Sequence, residues 1–194
     1  MANLSLAIPY IMKWEGGLSR ATTDTASKNP SPYEHNGKTG WHTNKGITFS
    51  TFKDLASKLG YVINASNFLQ MPDFVWRKIY ENGYWLPMQC DKIDSEAIAT
   101  AVVDYAWAFG VTGAKTRLFA WIKKDFNITV TSMPQVADFL NKQNETVIFK
   151  KLIQHRKQAF TNLNQPNNIK GWLNRMANLE VFGLDLIKKK SQTT

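Results

Sequence analysis

A mainly α-helical fold is predicted by three features of the sequence. Leu4, Ala7, Ile8, Ile11 and Met12 recur at three- and four-residue spacing, the period of a helix with one apolar face. Behind Asp94 and Ser95 runs the nearly unbroken apolar series Ala97, Ile98, Ala99, Ala101, Val102 and Val103, which marks a helix buried on most sides. Between them, Leu18 to Lys45 turns to Thr, Ser, Asn, Pro and Gly with no helical period. That stretch predicts a long irregular loop or short β element near residues 18–47, and loops of such length in compact domains usually carry function.

The first helix reads as stopping at Gly16-Gly17, with Glu15 its last residue. Thr48 or Ser50 can cap a second helix running to Leu59, and Gly60 is placed to end it. Pro72 suits the first turn of a third, through Trp76 and Tyr80 to Gly83. The central helix then spans 96–109 and ends at Gly110, after which Thr112 can cap a shorter one to Lys123. Asn127 to Thr131 is β-branched enough for a brief strand or turn. Pro134 and residues 137–160 predict one or two more helices. Asn164 to Lys170, with Pro166 and three Asn, reads as a loop before a last helix over 171–190.

Composition narrows the function classes. The 194 residues are 43% hydrophobic and 12% aromatic, enough for a sizeable core. Lys and Arg number 24 against 15 acids, a formal charge of +9 that attracts polyanions. The cations are scattered apart from Lys188-Lys189-Lys190, which argues against a nucleic-acid partner. Seven Trp and six Tyr suit stacking on sugar rings, although core packing accounts for most of them.

A lone Cys90 excludes an internal disulfide. The N-terminus lacks the basic segment and continuous apolar run of a secretory signal, and no window approaches 18 apolar residues, so neither export by a signal peptide nor membrane insertion is expected. His35, His42 and His155 have no zinc-ligand spacing, and no phosphate loop or nucleophile elbow is present. No metal and no cofactor are expected.

Glu15 is the candidate catalytic acid. A glycosidic bond is hydrolysed by a carboxylic acid still protonated near neutrality, often with a second carboxylate. A helix C-terminus disfavours the ionised form of an acid placed there, and Trp14 adds desolvation in the same direction. The plain alternative is a solvated helix end with a C-capping glycine. Against it stands the polar loop that follows, with Asp24, Glu34, His35 and His42, which suggests a cleft edge.

Other candidates carry two readings each. Asp24 is the nearest second carboxylate, or caps a turn. Thr43 and Thr48 can orient a water, or Thr48 simply caps a helix. Tyr80, Tyr84 and Trp85 divide between core and cleft wall. Asp104, inside the most apolar helix, must be hydrogen-bonded or face a cavity, and Trp107 shares its face.

Five segments in order carry a family resemblance: Trp14-Glu15-Gly16-Gly17, Thr43-Asn44-Lys45-Gly46-Ile47-Thr48, Ile79 to Trp85, Val103 to Gly110, and Gly171 to Arg175. Together they resemble glycoside hydrolase family 108, lysozyme-like N-acetylmuramidases also described as secretion activator proteins. The resemblance implies a lysozyme-like helical fold, Glu15 as general acid, and cleavage of the β-1,4 bond between N-acetylmuramic acid and N-acetylglucosamine. Beside Glu15, Asp24, Thr43, Asn44, Thr48, Tyr84, Asp104 and Trp107 are the expected substrate-binding residues. The resemblance also implies a catalytic half over residues 1–92 and a half over 93–194 similar to a peptidoglycan-binding region, packed as one compact unit.

The chain departs from the family pattern in places. Arg20-Ala21 replaces an Asn-Asp pair, Lys45 replaces a Tyr, and Trp107 replaces an Asn, with an extra stretch around residues 29–41. The rival expectation is therefore a non-catalytic wall-binding or secretion accessory protein that keeps the fold. The expected partner is the peptidoglycan glycan strand. A protein made in the cytoplasm and acting in the periplasm or cell wall also needs an export system, a holin or lysis.

Overall fold

The computed structural model of the chain describes residues 1–19, 34–35, 38–39 and 43–193. The fold is mainly helical and lysozyme-like, with eight α-helices and short two-residue strands among these residues. Two compact units form: Ile11–Gly83, and Met1–Tyr10 together with Tyr84–Thr194. The division falls at 83/84, whereas the sequence reading places it at 92/93. Hydrogen bonds explain why the first ten residues group with the later chain: Ala2 N donates to Ile93 O at 2.7 Å, Asn3 N to a Glu96 carboxylate oxygen at 2.7 Å, and Tyr10 OH to Arg175 O at 2.9 Å.

The unit of residues 11–83 opens with the last turn of helix α1 (Leu4–Trp14), which delivers the chain to strand β1 (Leu18–Ser19). This strand pairs antiparallel with β4 (Thr43–Asn44), which pairs with β5 (Ile47–Thr48), while β2 (Glu34–His35) and β3 (Lys38–Thr39) form a separate hairpin. Thr48 caps α2 (Phe49–Ala56), accepting from Thr51 N at 3.0 Å, and a 3₁₀ turn over Ser57–Leu59 ends at Gly60 with φ 73°. Gly60 thus supplies the left-handed conformation that closes a helix.

Helix α3 (Ala65–Leu69) was not expected from the sequence. It is capped by the Asn64 side chain and buries only Phe68, too short a stretch to show a period. Helix α4 (Asp73–Tyr80) follows Pro72 and continues as a π-turn over Glu81–Trp85. The interior of this unit is a cluster of rings: Phe49, Phe52 and Phe68 touch one another, and Trp76 stacks on Tyr80 at 5.0 Å.

In the other unit, α5 (Glu96–Phe126) starts at its Ser95 cap, whose hydroxyl accepts from Ile98 N at 3.2 Å. Gly110 breaks it with φ 70° and ψ 158°, where the sequence places a helix end, and the second stretch resumes at residue 111. That backbone conformation is closed to residues bearing a Cβ. Ile98, Val102 and Val103 are each 2% exposed or less, and burying each contributes about 1.5–3 kcal/mol. By length and composition α5 would suffice to cross a membrane, but most of that apolar window is buried within the fold.

Asn127 ends α5 in a left-handed cap, and residues 127–131 form no strand; the Thr131 amide donates to Gln135 Oε1 at 2.8 Å. Then come α6 (Met133–Asn141), α7 (Glu145–Thr161) and α8 (Pro166–Thr193). Helix α8 begins at Pro166, inside the segment expected to be a loop. Proline has no amide proton to lose in a first turn and its φ is preset for helix, so Pro166 initiates rather than interrupts. Gly183 brings α8 against α7: a Cβ there would lie 2.1–2.8 Å from Phe149 ring atoms.

His155 on α7 stacks on Trp121 at 5.3 Å, and its Nε2 lies 3.2 Å from Tyr105 OH. Burial, with Arg156, Arg117 and Lys124 adding to it and outweighing Asp125, lowers its pKa to about 4. The unfolded chain, with His near 6.5, binds this proton first, so stability is complete above pH 6.5 and falls as the pH drops towards 4. Melting temperature is expected to decline across that window, and His155→Phe should flatten the decline. An equally steep decline in the variant would exclude His155 as its source.

Candidate active site

Helix α1 ends at Trp14, one residue earlier than expected, and Glu15 N donates to Met12 O at 3.2 Å in a tightened last turn. Glu15 is half-buried and lies just past the helix. Gly16 and Gly17 are exposed, neither is left-handed, and a Cβ built on either meets nothing within 4 Å. The capping-glycine reading therefore fails here, because a glycine cap works through a positive φ. What the double glycine provides is bare backbone beside the acid.

The chain next folds back beside β4, and Lys45 N donates to Gly17 O at 3.3 Å. Lys45 and Gly46 form the two-residue turn between β4 and β5, with φ of 50° and 76°. Positive φ at both positions is the hairpin turn whose twist matches its strands. It strains a lysine, and three hydrogen bonds hold it there. Trp76 Nε1 donates to Lys45 O at 2.9 Å, while Lys45 Nζ donates to Met71 O at 3.1 Å and pairs with Asp73 at 2.6 Å.

Met12, Glu15, Gly16, Gly17, Lys45 and Trp76 line a cavity of about 220 Å³. Lys45 and Trp76 belong to it without any sequence signal beyond the family departure at Lys45, because strand pairing and α4 bring them to Glu15.

The remaining candidates are placed as follows. Thr43 and Thr48 are cross-strand partners, and the Thr48 hydroxyl is engaged with Thr51 N and Thr51 Oγ1, at 3.0 and 2.9 Å. Asn44 is 4% exposed and donates through Nδ2 to Phe68 O and Leu69 O, at 2.6 and 3.1 Å, so its amide anchors the hairpin in the interior. Asp24 lies outside the described residues, as do Arg20, Ala21 and His42.

Tyr84, Trp107 and Asp104 belong to the other unit. Tyr84 and Trp107 are half-buried and meet edge to face at 4.8 Å. Asp104 is fully buried, and its carboxylate takes Arg156 Nη2 at 2.6 Å together with Arg175 Nη2 and Nε, the latter at 3.0 Å. Burial alone would raise its pKa, but the two guanidiniums outweigh it and hold the carboxyl below its usual value. Of the two readings open for Asp104, the structure selects the satisfied interior acid over the substrate contact.

Residues 8–110, more than half of the chain, match the glycosyl hydrolase 108 family. The chain belongs to this family. It is thereby a glycosyl hydrolase family member, and the matched span holds the second half of α1, Glu15, the cavity and α4 before ending at the Gly110 break. Among solved structures, SagA of Brucella abortus is similar with a TM-score of 0.69 at 20% identity, covering 94% of each chain. At that identity the likeness is one of fold, and it extends past residue 110. No curated protein sequence matches the chain.

Proposed function

We propose that this family 108 member is a peptidoglycan hydrolase that cleaves the β-1,4 bond between N-acetylmuramic acid and N-acetylglucosamine, with Glu15 as general acid. The observation that carries this reading is the cavity at Glu15, walled by two exposed glycines that neither a positive φ nor packing requires. At about 220 Å³ it is smaller than the roughly 300–1,000 Å³ of common ligand pockets, so it takes the reacting part of a longer polymer.

In this mechanism Glu15 gives its proton to the glycosidic oxygen as the carbon–oxygen bond breaks. Water attacks the anomeric carbon through an oxocarbenium-like transition state and surrenders its proton to a second base, for which Asp24 is the candidate. The formal charge of +9 favours adsorption on anionic wall polymers. Such a substrate places the action in the periplasm or wall, reached through export, a holin or lysis.

Product chemistry tests the reading. Peptidoglycan digested with the purified chain and then reduced with borohydride is expected to yield muropeptides ending in N-acetylmuraminitol. N-acetylglucosaminitol ends would assign the other glycan bond. Absence of any new reducing end, with adsorption intact, would make the chain the non-catalytic wall-binding protein instead.

A further inference from the structure

We propose that the groove between the second stretch of α5 (residues 111–126) and α7 is a binding site for an acidic peptide. Its volume is about 570 Å³, within the range of specific ligand sites, and none of its lining residues belongs to the cavity at Glu15. It lies wholly beyond residues 8–110, so the family match does not account for it.

Helical spacing builds the groove. Arg117, Trp121 and Lys124 share one face of α5, and Lys151, Gln154 and Gln158 share one face of α7. From Lys151 to Asn162 the α7 wall extends about 16 Å at 1.5 Å per residue, the length of four to five extended peptide units.

The charges select an anion. Arg117, Lys124 and Lys151 stand against a single acid, Asp125, and none of the three has a carboxylate partner among the described residues. Asp125 is itself engaged, accepting from Trp121 Nε1 at 2.8 Å. Two of the cations are held rather than free to wander. The Arg117 guanidinium lies 4.4 Å from the Phe109 ring centre and donates to Gly113 O, and Lys151 Nζ lies 4.9 Å from that of Phe126. Holding them in place lowers the ordering cost of binding.

The floor selects a peptide over a sugar or a base. Trp121 is 3% exposed, with His155 stacked on it, so it offers no open ring face for a pyranose or nucleobase. Instead the walls present the exposed amides of Gln154 and Gln158; Gln158 Nε2 donates to Asn162 Oδ1 at 2.8 Å, which orients its amide and leaves its oxygen and second N–H for peptide groups. Carboxylates for the cations and amide bonds for the glutamines together describe an acidic peptide. Peptidoglycan stem peptides have this chemistry, and choosing them as the natural ligand rests on the proposed function.

The test is calorimetric titration of the full chain with an N-acetylated tetrapeptide of alanine, γ-linked glutamate, diaminopimelate and alanine, which carries three carboxylates. Saturable binding is expected, weakened at least tenfold by the double substitution Lys124→Glu and Lys151→Glu and weakened similarly when the peptide's carboxylates are amidated. Both lysines are exposed, and the amidated arm needs no variant. Equal affinity for the amidated peptide, equal binding by the double variant with an unchanged circular dichroism spectrum, or no binding at millimolar peptide overturns the proposal. Inorganic phosphate competing as strongly as the peptide would reduce the groove to a general anion site and also overturn it. A chain that cleaves no peptidoglycan yet binds the tetrapeptide as described leaves the groove standing and removes only the muramidase reading.

Discussion

Glu15→Gln is expected to cut the release of reducing ends from peptidoglycan by about 10²–10⁴-fold, the range that a positioned proton donor contributes. Glutamine keeps the shape and hydrogen-bonding reach of the acid but has no proton of useful acidity to give. Because Glu15 is half-buried beside open backbone at Gly16 and Gly17, the exchange creates no cavity and no clash. Adsorption to insoluble peptidoglycan should therefore persist, and thermal stability should stay within about 0.5 kcal/mol of wild type. Equal rates of reducing-end release from the two proteins would remove Glu15 from the chemistry.

Asp104→Asn should have the largest effect on stability, a loss of roughly 3–5 kcal/mol. Arg156 is fully buried, with Nη1 on Ala101 O at 3.1 Å, and its guanidinium lies 5.1 Å from the Tyr105 ring centre. Taking away the one carboxylate that answers it strands a cation in the interior. Arg175 loses the same partner, though its side chain keeps 15% exposure and can turn towards solvent. At about 2–4 °C per kcal/mol for a chain of this size, the melting temperature should fall by roughly 6–20 °C. Calorimetry decides it. A fall under 3 °C would mean that the buried triad is no anchor, and the pair Asp104→Leu with Arg156→Met should cost less than Asp104→Asn alone.

Features written in adjacent residues were legible in the sequence. The Thr48 and Ser95 caps, the Gly60 stop and the Gly110 break are each local: one side chain accepting from an amide three residues on, or one backbone that tolerates positive φ. Helix α3 is not legible because five residues show no period, and the start of α8 is hidden because Pro166 among asparagines resembles a loop. The site divided the same way. Glu15 and its glycines are neighbours in sequence, whereas Lys45 and Trp76 reach them through β1–β4 pairing and the hydrogen bond between them. Asp104 meets Arg156 and Arg175 from 52 and 71 positions away, so composition announced that it needed partners without naming them.

The Gly110 break makes α5 a lever rather than a rod. The stretch over 111–126 is about 24 Å long, so a 10° change in the two torsions of Gly110 would swing its far end by about 4 Å without breaking a hydrogen bond inside either stretch. The position of Lys124 is thus set by what packs against that stretch, α6 through Phe139 on Phe126 and α7 through His155 on Trp121. Anything that wedges between α7 and that stretch works against this packing and a pivot of one residue.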